Sequence, residues 1–250
     1  MEPLPVLEQK YTIGISDVDF LQTLKISSLF GYFQEIASFH ANNLGIGLDA
    51  ISSKHNVTWV LVKIKVEIDQ FPLWNDEIII QTWPLKPKRF EFERNYIVKD
   101  SNGNVIIRAI SSWVIMDLET RELQKAELIE VDYPNFIENK AIDGKLGKLK
   151  PFGEPKVVYK KTIGYSDIDM NGHLTNSKYI DYIMDCFPCE GHKKYKVRTI
   201  QVSYVNEALP GETITLSSDI SSFDSNSIYI EGINNNGGQI FSSITEIEPR

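Results

Sequence analysis

One element occurs twice in this chain. "TIGISDVDFLQTLKISSL" starts at Thr12 and "TIGYSDIDMNGHLTNSKY" starts at Thr162, a fixed offset of 150 residues. Thr12/Thr162, Ile13/Ile163, Gly14/Gly164, Ser16/Ser166, Asp17/Asp167 and Asp19/Asp169 coincide, as do Leu24/Leu174, Ser27/Ser177 and Tyr32/Tyr182 further on. An echo at constant offset marks an internal duplication, so the fold is expected to be two copies of one unit. The copies part at two places: Asn171 and His173 stand where the first has Leu21 and Thr23.

Each copy opens on a short polar–apolar alternation and then turns helical. Leu29, Phe30, Phe33, Ile36 and Ala37 recur at spacings of three and four, as do Tyr179, Ile180, Ile183, Met184 and Phe187. Such spacing gives one apolar helix face. Ser27/Ser28 and Thr175/Asn176 are expected caps, and Pro188 an expected stop. A strand series follows each helix. The first reads "VTWVLVKIKVEID", "DEIIIQTWPL", "RFEFERNYIVKD" and "VIIRAISSWVIMDL"; the second reads "YKVRTIQVSYVNEA", "ETITLSSDIS", "SIYIEGI" and "QIFSSITEIE". "DSNGN" (Asp100–Asn104) and "NNNGG" (Asn234–Gly238) are matching hairpin turns. "FPLWND" (Phe71–Asp76) and "ALPGE" (Ala208–Glu212) sit at corresponding corners. A helix followed by an antiparallel sheet, repeated, is an α+β pattern that no doubly wound parallel sheet fits. Between the copies, Tyr133–Pro155 is rich in Lys, Gly and Pro and reads as a connector.

Charge narrows the partners. The net charge of −8 gives no general basic field, which argues against nucleic acid. Local basic clusters occur at Lys86–Arg89, Lys145–Lys150 and Lys193–Arg198. No apolar run approaches the length of a membrane span, and "MEPLPVLEQK" lacks the features of a secretory signal, so the cytoplasm is the expected compartment. Cys186 and Cys189, spaced CxxC with His192 nearby, are expected to be ordinary thiols, with no metal bound: a structural zinc needs four ligands, and no second cysteine pair is present. His40 and the strand tryptophans Trp59, Trp83 and Trp113 read as packing residues, Trp74 as a corner residue, and His55 and His192 as exposed.

The chemistry-bearing group is Asp169, Asn171 and His173, a D-x-N-x-H element just ahead of the second helix. In an extended segment the three side chains would share one side. They would stand near free helix N–H groups, where developing negative charge is favoured. An imidazole, a neutral amide and a carboxylate together suit acid–base work on a carbonyl. Taken alone the pattern also fits a structural turn, and Asp19 in the first copy shows how the aspartate could simply close it.

Across most of its length the sequence resembles the acyl-acyl carrier protein thioesterases, a family of plant plastid enzymes and bacterial relatives. The resemblance rests on "FQEIASFH" (Phe33–His40), "FPLWNDEIIIQTW" (Phe71–Trp83), "RAISSWVIMDLETREL" (Arg108–Leu123), "SDIDMNGHLTNSKYI" (Ser166–Ile180) and "YVNEALPGE" (Tyr204–Glu212), in family order and spacing. It implies a tandem hot-dog fold, each repeat a long helix wrapped by an antiparallel sheet. Residues 1–132 would be the N-terminal hot dog holding the acyl chain, 133–157 the linker and 158–250 the catalytic hot dog. It implies catalysis by Asp169, Asn171 and His173 with Glu207 from a later strand. The substrate would be acyl carrier protein bearing a fatty acyl thioester, cleaved by water without a cofactor to end fatty acid synthesis.

Plant members carry a cysteine directly after that glutamate. Here the residue is Ala208, so a cysteine mechanism does not carry over. Direct attack by Glu207 through an anhydride stays open, as does the choice between Glu207 and His173 as base. Acyl-coenzyme A as substrate and a non-catalytic acyl-binding module are the alternative functions. A monomer acting as internal pseudo-dimer and a homodimer are both compatible with the duplication.

Overall fold

The computed structural model describes residues 2–129, 137–223 and 226–250. Residues 130–136, the junction of the expected first unit and linker, lie outside the described residues. Two compact units emerge. One comprises Met1–Lys25, Gly31–Ile64 and Asp69–Lys145; the other comprises Ile26–Phe30, Lys65–Ile68 and Leu146–Arg250. Among the described residues no helix is long and apolar enough to cross a membrane.

The first half runs β1 (Leu7–Thr12), α1 (Ile26–Asn43), α2 (Leu48–His55), β2 (Val57–Ile68), β3 (Glu77–Pro84), β4 (Phe92–Lys99), β5 (Val105–Asp117) and β6 (Leu123–Gln124). Its strand order is β1-β3-β4-β5-β2, with β6 beside β5. The second half runs β7 (Lys156–Thr162), α3 (Asn176–Met184), α4 (Cys189–Lys194), β8 (Tyr195–Tyr204), β9 (Thr213–Asp219), β10 (Ser227–Ile233) and β11 (Gln239–Pro249). Its order, β7-β9-β10-β11-β8, is the first order repeated, every step antiparallel. The strands expected from sequence therefore form. Both hairpin turns close as expected, Asp100 N–H to Asn104 O and Asn234 N–H to Gly238 O, each at 2.9 Å.

Helix and sheet meet through the apolar face read from the sequence. In the first unit Phe33 lies on Tyr96 of β4 with ring centroids 4.6 Å apart, and Ile36 is fully buried. Burying a side chain of that size contributes about 1.5–3 kcal/mol, so this face rather than intrinsic helix propensity anchors α1. In the second unit Tyr179 of α3 meets Tyr204 and Phe241 edge-on at 5.2 and 5.6 Å. Each unit is a hot dog.

The second helix is shorter than its periodicity suggests. It ends at Met184, after nine residues against eighteen in α1. A proline disfavours helical backbone at the residue before it and has no N–H with which to continue a helix, so Pro188 bounds α3. The chain tightens ahead of it through Cys186 N–H to Ile183 O and Phe187 N–H to Met184 O. Pro188 instead precedes α4 as its N-cap. Lys25 rather than Ser27 or Ser28 holds the N-cap position of α1, and Thr175 holds that of α3, neither with a side-chain cap hydrogen bond.

Strand β4 shows what covers the first sheet. Glu93, Arg94 and Asn95 are all buried although polar. On one face Arg94 reaches His40 of α1. On the other, residues after the undescribed segment lie across the strand: Lys140 pairs with Glu93 at 2.6 Å, Ala141 N–H donates to Asn95 Oδ1, and Trp83 Nε1–H donates to the Asn139 carbonyl.

His40 is a fully buried structural histidine. A guanidinium can only donate and a carbonyl only accept, so Arg94 Nη1 at 3.0 Å from Nδ1 and the Leu4 carbonyl at 2.8 Å from Nε2 fix one neutral tautomer. Burial, with Arg94 adding, lowers its pKa to about 4. In the unfolded chain His40 takes up a proton near pH 6.5; in the fold it does so only near 4. Between those values the unfolded state binds more protons, so stability is full above pH 6.5 and falls as pH drops toward 4. Thermal melts should lose on the order of 2–3 kcal/mol over that window, and His40→Leu should flatten the loss. An unchanged pH slope in the variant would dismiss His40 as its source.

Candidate active site

The repeated element is a closed turn, not the extended entry that would set three side chains on one side. Asp169 N–H donates to His173 O at 2.9 Å and Gly172 N–H to Asp169 O at 3.1 Å. The first copy makes the same pair of bonds, Asp19 N–H to Thr23 O and Gln22 N–H to Asp19 O. Gln22 and Gly172 both take left-handed backbone, φ 62° and 80°, which glycine adopts without the cost a side chain incurs.

Within this turn Asp169 points back to the chain. Its Oδ1 accepts the N–H groups of Asn171 (2.8 Å) and His173 (3.2 Å). Asp19 does the same for Leu21 and Thr23, and also takes the Thr23 hydroxyl. Asp17 and Asp167 serve one step earlier, holding Gly14 N–H and Gly164 N–H.

The corner that brings Glu207 is duplicated too, now at an offset of 136 residues (Asp76 to Glu212) because the second copy's helical region is shorter. Leu24 N–H to Pro72 O becomes Leu174 N–H to Ala208 O, both 2.9 Å. Ile13 N–H to Asp76 O becomes Ile163 N–H to Glu212 O, again both 2.9 Å. Asn75 and Gly211 share left-handed backbone. Superposed by these bonds, Thr23 corresponds to His173 and Phe71 to Glu207.

The second unit therefore places an imidazole and a carboxylate where the first has neither. His173 Nε2 lies 3.5 Å from Glu207 Oε2, with side chains 29% and 38% exposed. The pair is long for a formed hydrogen bond, but catalytic pairs commonly tighten only around substrate. It is half-buried, open to a reactant and, at His173, three residues ahead of α3. Asn171 stands apart: its side chain is exposed and has no hydrogen-bond partner among the described residues.

The cysteines do not enter this arrangement. Cys186 Sγ rests on Tyr182 O, and burial, with Asp185 adding, pushes its thiol up to about 12, so no thiolate forms near neutral pH. His192 is half-buried, its ring on the Met184 carbonyl at 3.2 Å rather than in open solvent.

Comparison with known families bears on both units. The model of the acyl-ACP thioesterase N-terminal domain matches residues 5–130, and that of the C-terminal domain matches residues 156–248. The chain belongs to the acyl-ACP thioesterase family. A crystal structure of an acyl-ACP thioesterase from Bacteroides thetaiotaomicron is similar over 98% of both chains, at 29% identity and a TM-score of 0.89. The 12:0-ACP thioesterase from Umbellularia californica, at 21% identity, shares the fold over 98% of both chains with a TM-score of 0.82. Among curated relatives, a chloroplastic acyl-[acyl-carrier-protein] hydrolase of Cuphea viscosissima is 27% identical over 81% of this chain and 52% of its own length. An oleoyl-acyl carrier protein thioesterase of Arabidopsis thaliana is 28% identical over 80% of this chain and 59% of its own. The chain thus spans between half and three-fifths of the length of these two curated relatives.

Proposed function

We propose that the chain hydrolyses the thioester of acyl-acyl carrier protein, releasing free fatty acid and ending its synthesis. The observation that carries this reading is the His173–Glu207 pair, built only in the second of two otherwise equivalent corners of a family-typical fold. Water is the nucleophile. The pair takes one proton as the water oxygen bonds to the carbonyl carbon; the tetrahedral intermediate then breaks its C–S bond, and the proton goes to the departing phosphopantetheine thiolate. Asn171 holds the water or the carbonyl oxygen, and Asp169 shapes the turn that presents His173. General acid–base assistance of this kind contributes about 10²–10⁴-fold. The N-terminal hot dog receives the acyl chain, and the reaction runs in the cytoplasm.

The test is a turnover screen over acyl carrier protein thioesters from short to long chains, beside matched acyl-coenzyme A. Preference for the carrier protein is expected; strong preference for coenzyme A would overturn the choice of carrier.

Carrier proteins are acidic, so docking on a chain of net charge −8 needs a local basic cluster. Several candidate lysines are already engaged: Lys88 with Glu91 and Glu93, Lys193 with Glu190, Lys196 with Glu248. Lys86 and Lys194 have no ion-pair partner among the described residues. Lys86→Glu or Lys194→Glu is expected to raise KM for carrier-bound substrate by about threefold to tenfold and leave small thioesters unaffected. Equal behaviour of the two substrates would remove these clusters from docking.

A further inference from the structure

Glu207 stands just past the end of its strand, so the regular ladder of the sheet does not reach it. β8 ends at Tyr204. Beyond it the N–H groups of Val205 and Asn206 share one acceptor, the Ile240 carbonyl of β11, at 2.8 and 3.2 Å. The Asn206 side chain then adds a bond of its own, Nδ2–H to the Gln239 carbonyl at 2.7 Å. A carbonyl only accepts, so the NH2 end of the amide is the end that faces it. This bond carries the β8–β11 ladder one step further, up to the residue directly before Glu207. On the other side of Glu207, the Ala208 carbonyl accepts Leu174 N–H, next to His173.

The receiving strand is itself held in place. Gln239 Nε2–H donates to Glu231 Oε2 at 2.9 Å and to the Tyr229 hydroxyl oxygen at 3.3 Å. The Tyr229 hydroxyl donates to the same carboxylate oxygen at 2.9 Å, and Tyr229 is 1% exposed.

The first copy repeats only the backbone part. Asp69 and Gln70 N–H share the Ile106 carbonyl at 2.9 and 3.2 Å, so Gln70 corresponds to Asn206. The Gln70 side chain has no hydrogen-bond partner among the described residues. That corner is tied one residue earlier, by Asp69 and Arg108 at 2.6 Å, where the second copy has Val205 and Ser242. The copy that carries the carboxylate has its side-chain tie at the residue beside it.

We infer that Asn206 is a positioning residue: with its amide on the Gln239 carbonyl it fixes the start of the corner and so keeps the Glu207 carboxylate beside His173. This rests on the hydrolase reading above.

Gln201 supplies a matched control. It lies on β8, and its amide also donates to a backbone carbonyl, that of Gly147 at 3.2 Å, but away from the corner. Asn206→Ala and Gln201→Ala are compared on a simple acyl thioester of N-acetylcysteamine, with melting curves for both. Each should lower Tm by no more than a few degrees. Asn206→Ala should also cut kcat by about fivefold or more with KM within about twofold, the signature of lost transition-state geometry. Gln201→Ala should keep kcat. Two variants alike in kcat, whether both active or both impaired, or an Asn206→Ala loss carried by KM, would overturn the positioning role. A wild-type chain inert on every thioester would instead overturn the hydrolase reading itself.

Discussion

Exchanging His173 for threonine should leave a folded protein whose kcat has fallen by about 10²–10⁴-fold. Threonine is what the first copy carries at that place, and there its hydroxyl donates to Asp19 Oδ1 at 3.1 Å. Asp169 offers the same acceptor, so the turn can satisfy the new side chain and Tm should shift little. Glu207→Gln should behave alike: the position is 38% exposed, the amide keeps the shape, and Phe71 shows that the corner needs no charge to form. Because the two groups act as a unit, the double variant should be scarcely worse than either single one. The measurements are kcat on an acyl carrier protein thioester and a melting curve for each variant. Near-normal turnover in His173→Thr, Glu207→Gln and Asn171→Ala together would remove the chemistry from this turn.

How far the molecule could be read from its residues depends on the range of each interaction. The strands announced themselves through local alternation and β-branched composition, and the hairpins through Asn-Gly and Asn/Asp-rich turns, all short-range signals. The fixed offset supplied the tandem architecture. Periodicity overstates helix α3 because it continues through Phe187, while the backbone restriction imposed by Pro188 acts one residue before the proline and the tightened turn earlier still. The burial of Glu93 and Asn95 in β4 was not legible at all, since it depends on residues 139–141 crossing a distant strand. At the site, Asn171 and His173 stood out as differences between copies. Glu207 came only from the family resemblance: its corner lies 34 residues beyond His173, and only the closed fold brings them within 3.5 Å.

The shared aspartates separate scaffold from chemistry, and their removal should do so by experiment. Asp19→Ala strips an acceptor from Leu21 N–H, Thr23 N–H and the Thr23 hydroxyl; Asp169→Ala strips one from Asn171 N–H and His173 N–H. Hydrogen bonds to a carboxylate contribute more than neutral ones, so each change should cost about 2–3 kcal/mol of stability. Their effects on turnover should differ. Asp19 organises a turn that carries Leu21 and Thr23, and its loss should leave kcat within about twofold at temperatures where the chain stays folded. Asp169 organises the turn that presents Asn171 and His173, and misplacing a reacting group by an ångström can cost about 10²-fold. Asp169→Asn keeps one acceptor oxygen and should recover part of both losses. If Asp169→Ala lowered stability yet retained full turnover, His173 would not depend on the turn for its placement. If Asp19→Ala lost turnover as deeply, the two copies could not be dividing scaffold from chemistry in the way their matched hydrogen bonds and unmatched side chains indicate.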